Sequence, residues 1–489
     1  MLGLFTLGAA ALSACARAAG LGSSRQSNNA TTRENRITGD EGWRVPGNVT
    51  DTARQIQGYT STTSVNAGET IDFHVSVAEA QPFTVTLYRI GHYNGAGARL
   101  MYTSGALAGR PQPVPAVDPD TGLIDCQWPS AWTFQVPENW TSGLFLAVFE
   151  SADGFHSSTP FVVRNDGRRS DFLIVVPFTT YAAYNVWPAD GHTGKNLYKG
   201  YRANGSMGSA PERAYRVSLN RPFSGDGMPS WATLDIATAQ WAEANGYDVA
   251  YATSIDLHEG RVDPGRHRAL VFPGHDEYWS AAMRDVVEKA IRNSTHCAFL
   301  AANNIYWNVR VEADHRGVAA RVITCYKDDP DPAPDSAGPT KRWRSQGTDR
   351  EQAEARLLGV QYNGMLRTPA PLVVRKATHW FWAGTGLQDG DEIKDLVAVE
   401  ADGRYRGLAT DYESKQALLS RSPYVDSMGR GEKIQNTSLC RTPAGTIMFC
   451  AGTFHWPLAL VESPVTDTRI QKATKNLFDR FLKTGSAGR

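Results

Sequence analysis

An all-β immunoglobulin-like sandwich followed by an α/β domain on a parallel sheet is the fold this chain predicts. Two rhythms carry the expectation. Between residues 51 and 166, short runs alternate apolar and polar residues, as in "TIDFHVSV", where Ile71, Phe73, Val75 and Val77 share one face. "FTVTLYRI" and "GLFLAVFE" do the same, with Gly, Pro and Asn between them, the pattern of a sandwich of short antiparallel strands. From residue 167 to 489 the strands are unbroken apolar runs, as expected when both faces are covered, and they alternate with helical stretches.

Residues 1–20 hold "LGLFTLGAAALSAC", an apolar stretch too short to span a bilayer, with small residues before Cys15. It resembles a bacterial lipoprotein signal in which Cys15 carries the lipid. The expectation is an exported, cell-surface protein that meets the membrane through a lipid anchor only. Residues 21–50 read as a flexible tether. After the sandwich come "FLIVVPF" (172–178), a helix at 231–246 that Gly246 ends, and strands at 247–253 and 268–274. A helix that Ser280 can cap is next, then strands "HCAFLAAN" (296–303) and "GTIMFCAGT" (445–453).

Composition excludes several classes. Fifty basic residues balance fifty acidic ones with no stripe of like charge, so nucleic acid is not an expected partner. Besides Cys15 the chain has Cys126, Cys297, Cys325, Cys440 and Cys450, with no CxxC pair, which argues against a cysteine zinc site and leaves one disulfide open. There is no G-x-S-x-G elbow, no H-E-x-x-H and no glycine-rich phosphate loop.

The remaining candidates lie where the apolar runs end, the place where open parallel sheets bind ligands. One run leads into Tyr181, Tyr184 and Trp187, the next into "GHDEYW", another into Asn303 and Asn304, and the last into His455. Tyr184, Asp276, Glu277 and Asn303 are oxygen donors with His275 beside them, a set suited to a hard metal ion or to direct acid–base work. Plainer roles compete. Asp276 and Glu277 can cap the helix at Ser280, Asn303 can satisfy a turn, and His379 and His455 can simply pack. Tyr88, Arg89 and Tyr93 suit either a sugar-binding surface or packing between the two halves.

"TTYAAYNVW…NLY", "GYDVAYATSIDLH", "GHDEYW", "AANNIYWNVR" and "HWFWAGTGLQDGD" occur in this order, and together they resemble the large subunit of bacterial N,N-dimethylformamidase over roughly residues 170–485. "YRIGHYNGAGAR" extends the likeness into the sandwich half. The resemblance implies a class I glutamine amidotransferase-like C-terminal domain without its cysteine. It implies hydrolysis of a small amide at an Fe(III) ion held by two tyrosines and a carboxylate, with a small partner subunit or a homo-oligomer. Residue by residue, Glu277 matches the carboxylate ligand, Tyr184 the first tyrosine, and His275 and Asn303 the pocket groups. Glu400 or Glu413 matches a pocket glutamate. The second tyrosine is expected after an Arg-Pro pair, where this chain has Phe223 in "SLNRPFSG". Tyr181, Tyr198 or Tyr215 could replace it. Otherwise the protein is a non-catalytic cell-surface binder that kept the pocket and lost the metal.

Overall fold

The computed structural model describes residues 28–347, 351–405 and 416–484. Its N-terminal part is a β sandwich. Strands Ile56–Thr60, Thr70–Val77 and Trp132–Gln135 form one sheet. Ser64–Asn66, His156–Arg164, Gly143–Ser151, Pro82–Ile90 and Ala98–Thr103 form the other, with Leu107–Ala108 added along Pro82–Ile90. The facing sides enclose Phe73, Val75, Val85, Phe145, Phe149 and Phe161. Each fully buried phenyl ring there contributes roughly 1.5–3 kcal/mol of apolar burial. The alternate residues of the Thr70–Val77 strand do not meet solvent either. His74 Nδ1 lies 2.7 Å from the Trp128 carbonyl, and Ser76 Oγ accepts from the Gln112 N–H at 2.9 Å, so the chain between residues 110 and 128 covers that outer face.

The second half corrects the sequence expectation. It is not a parallel α/β domain of the glutamine amidotransferase type. Strands dominate, helices are few, and the described strands spread over many small, mixed sheets. The largest sheet runs Val249–Thr253, Ser170–Val176, His267–Phe272, His296–Phe299, Ile447–Cys450, Ser438–Arg441 and Ala417–Leu418. Its first five strands are mutually parallel, Ser438–Arg441 runs antiparallel to them, and Ala417–Leu418 pairs antiparallel with Ser438–Arg441. The strand–helix rhythm that suggested an α/β class holds only between residues 170 and 299. Between His296–Phe299 and Ile447–Cys450 the described chain has one α-helix, Glu354–Leu358, and otherwise short strands and single turns. A regular doubly wound sheet needs a covering helix at each crossover, and this stretch supplies small antiparallel pairs instead.

Two helices obey the sequence rules closely. Ser280 caps Ala281–Arg292 by accepting from the Met283 N–H, and Thr253 with Asp256 forms a capping box on Ser254–His258. The five cysteines at 126, 297, 325, 440 and 450 are buried and free. Among the described residues no helix is long and apolar enough to cross a membrane. Cys15 and Glu413 lie outside the described residues.

The sandwich is bonded to the second half through buried charge. Arg89, fully buried, meets Glu243 of helix Ala232–Ala244 at 2.8 and 3.0 Å and donates to the Ser142 carbonyl and the Tyr93 hydroxyl. Tyr251 at 2.7 Å and Asn35 at 2.6 Å complete the Glu243 carboxylate. Of the two roles open to Tyr88, Arg89 and Tyr93, this is packing between the halves, and all three are buried.

Candidate functional site

Three neighbouring parallel strands deliver the pocket. Ser170–Val176 runs into helix Phe178–Tyr184, His267–Phe272 into His275–Glu277, and His296–Phe299 into Asn303. Gly274 allows the middle crossing, because a Cβ there would stand 2.7 Å from the Asp235 carboxylate. Asn303 and Ile305 both hold left-handed backbone, φ +56 in each case. For β-branched Ile305 that is strain of roughly 1–3 kcal/mol, a cost that persists where the surroundings dictate the turn.

Glu277 is the centre. Its Oε2 accepts from the Tyr184 hydroxyl at 2.7 Å and its Oε1 from the Tyr198 hydroxyl in a short hydrogen bond. Asn196 sets the two tyrosines together. Its side-chain N–H₂ donates to the Tyr184 carbonyl at 2.7 Å, and its oxygen accepts from the Tyr198 N–H at 2.8 Å. Trp307 Nε1 donates to the Tyr198 hydroxyl at 3.1 Å. The Glu277 backbone N–H is held by Thr180 Oγ1 at 3.1 Å. Glu277 therefore does not cap the helix at Ser280, and Asp276 does not either, since its buried oxygens meet no hydrogen-bond donor.

His275, Asn303 and Glu400 close the pocket. His275 Nε2 stands 3.4 Å from Glu277 and 3.5 Å from Glu400, and neither ring nitrogen is hydrogen-bonded. Asn303 Nδ2 donates to Glu400 Oε2 at 2.9 Å and leaves its own oxygen unpartnered. Burial pushes the His275 imidazole down to about 3. It also drives Glu400 well above the usual carboxylate range, helped by the Glu277 charge, and raises Glu277 against the pull of Lys327. Burial lifts both phenols well above their usual range, with Glu277 adding to the effect.

Of the tyrosines open as the second ligand, Tyr198 alone reaches Glu277. Tyr181 donates to Asp235 at 2.6 Å and Tyr215 to Asp329 at 3.1 Å. Phe223 packs edge-on against Tyr181, ring centres 6.2 Å apart. His379 accepts from the Phe381 N–H in its own turn, and His455 bonds the Asp395 carbonyl at 2.9 Å. Lys327 had no sequence signal. Its Nζ sits 3.2 Å from the centre of the Tyr198 ring with no hydrogen bond, and burial pushes it down to about 8.

Two phenol oxygens and one carboxylate thus converge with buried, unbonded polar groups around them, a donor set that fits a hard ion such as iron. Among the described residues no group of three or more His, Cys, Asp or Glu side chains is placed to hold a metal, so any ion here depends on tyrosine oxygen.

The N,N-dimethylformamidase beta subunit-like C-terminal family model matches residues 84–469. The N,N-dimethylformamidase beta subunits of Paracoccus aminophilus and an Alcaligenes species are each 26% identical over 223 residues, 39% of this chain. The match spans 29% of the length of either relative. A solved structure of a cellulose-active LPMO in complex with copper shares 21% identity over 21% of this chain and 53% of its own, with a TM-score of 0.15, a likeness that carries no argument. A model that matches from the sandwich to the last helix leaves one conclusion: the chain belongs to the N,N-dimethylformamidase beta subunit-like family.

Proposed function

We propose that this protein hydrolyses a small linear amide in the pocket around Glu277, using a ferric ion held by Tyr184, Tyr198 and Glu277. The carrying observation is that two tyrosine hydroxyls, fourteen positions apart in sequence, meet on one buried carboxylate. The relatives' name supports the amide class. Such an ion supplies Lewis-acid polarisation of the amide carbonyl and a more acidic water. The chain's own groups do the rest. Asn303 offers an unpartnered side-chain oxygen to orient the amide N–H. His275, neutral and unbonded between Glu277 and Glu400, offers a ring nitrogen to orient the attacking water, and the released proton passes to the more basic carboxylates beside it. Tyr278 and Phe454 wall the pocket against bulk water, both buried.

Phe223 favoured a binder that had lost its metal. Tyr198, whose hydroxyl bonds Glu277, offers the phenol that Phe223 lacks and supports the hydrolytic reading instead. The beta subunit name of the relatives supports a partner subunit. Export with a lipid on Cys15 rests on the apolar stretch and small residues before it. The test is metal content and a visible spectrum of the aerobically purified protein, with an amide screen. Near-stoichiometric iron with a phenolate-to-iron band that Tyr184→Phe abolishes supports the reading. A colourless protein that cannot be loaded with iron sinks it.

A further inference from the structure

A cavity of about 250 Å³ lies at the far end of the strand pair that carries Glu400. Arg342, Arg344, Arg430 and Lys433 line it together with Tyr306 and Tyr362, and no carboxylate is among the described residues of its wall. Some of this charge is already matched. Glu354 binds Arg344, and Asp328 holds an outer nitrogen of Arg342 at 2.8 Å. Among the described residues Asp426 alone faces both Arg430 and Lys433, so that trio keeps a positive charge in excess. Two buried polar atoms are unbonded as well, Arg342 Nε and the side-chain oxygen of Gln361. Gln361 is 3% exposed, and an orphaned acceptor at that depth costs roughly 1–3 kcal/mol unless a ligand bonds it.

The cavity and the pocket share two walls. Strand Gln361–Met365 pairs with Glu400–Gly403, with Gln361 opposite Gly403 at the cavity and Met365 opposite Glu400 at the pocket. Along the second strand those ends are three residues apart, roughly 10 Å. On the other side Tyr306, packed on Tyr362 at 5.4 Å, directly precedes Trp307, whose indole N–H bonds the Tyr198 hydroxyl.

We propose that this cleft seats a carboxylate carried by the amide substrate, making the substrate an acidic amide whose carboxylate lies about 10 Å from the bond that is cut. This rests on the hydrolytic reading for the word substrate, but not for the binding itself. The surplus cation and the unbonded guanidinium N–H recognise the anion, and the tyrosine rings flank the linker.

Calorimetric titration of the full chain with N-formyl-6-aminohexanoate, against neutral N-formylhexylamine, tests the assignment. The acid is expected to bind about tenfold or more tightly than the neutral amide. That preference is expected to vanish in Arg342→Gln/Lys433→Gln and to shrink at about 0.5 M salt, where exposed charge is screened. The single Lys433→Gln variant, with an unchanged melting temperature, covers the case in which the double variant folds poorly. The same substitutions should lower kcat/KM for the acid about tenfold relative to that for the neutral amide. Equal binding of the two probes, or a preference that survives the substitutions, overturns the proposal. Selective binding of the acid without hydrolysis of either probe keeps the cleft and overturns the hydrolytic reading instead.

Discussion

Two buried polar clusters in this protein are built on opposite terms. Around Arg89 and Glu243 both carboxylate oxygens and the terminal guanidinium nitrogens have partners, drawn from Tyr93, Ser142, Tyr251 and Asn35. Around Glu277, His275 has two bare nitrogens, Asn303 a bare oxygen, Asp276 two bare oxygens and Lys327 a bare ammonium. Both clusters lie mostly buried, so the difference is one of satisfaction. Native proteins leave few buried polar groups unpaired, and a concentration of them marks a place that something else completes. The first cluster bonds the halves together, whereas the second concentrates unpaired polar groups around one carboxylate.

The comparison can be broken at either end. Arg89→Met leaves Glu243 as an uncompensated buried carboxylate and is expected to cost about 3–5 kcal/mol in urea unfolding. A loss below about 1 kcal/mol would mean that the saturated cluster does not hold the halves together. Tyr198→Phe removes one hydroxyl from Glu277 and should lower kcat/KM on a small amide by about a thousandfold, together with bound iron, while the melting temperature changes little. Retention of both would return the ligand role to another tyrosine.

Asp235, bonded by Tyr181 next to the open cluster, is pushed up to about 7 by burial. Its folded-state value lies above the unfolded one, so the stability it contributes is full below about pH 4 and is lost as pH rises through 7. Asp235→Asn should therefore be more stable than the parent by roughly 4 kcal/mol at pH 8, with the gap closing below pH 4. Thermal melts across that range decide, and a gap independent of pH would show that the carboxyl does not titrate there. The smallest effect is expected of Phe223→Tyr. Its ring faces Tyr181, so iron content should not change and stability should move by less than about 1 kcal/mol.

The sandwich was legible because period-two alternation survives in each strand, and the pocket's Glu277, His275, Asn303 and Tyr184 were legible because polar residues crowd the ends of apolar runs. Tyr198 stood only as one of three alternatives to Phe223. It sits in a loop with no periodicity, and its position is set by the Asn196 side chain, a bond that spacing does not announce. Glu400 was a loose match that strand pairing with Gln361–Met365 brings to the pocket. Lys327 depends on left-handed backbone, φ +61, which nothing in its neighbours foretells. The α/β expectation failed by extrapolation: three good strand–helix units before residue 299 do not dictate the architecture of the chain beyond it.

The Arg89–Glu243 junction also bears on how the gene can be divided. A fragment that begins after residue 166 would carry Glu243 and Tyr251 without their guanidinium, and a fragment that ends there would carry Arg89 without its carboxylate. Each half would expose a charged scar made for the other. Expressed apart, the two pieces should be found insoluble or escorted by chaperones, and expressed together they should reassemble by complementation, so this is a chain that cannot be shortened to its pocket.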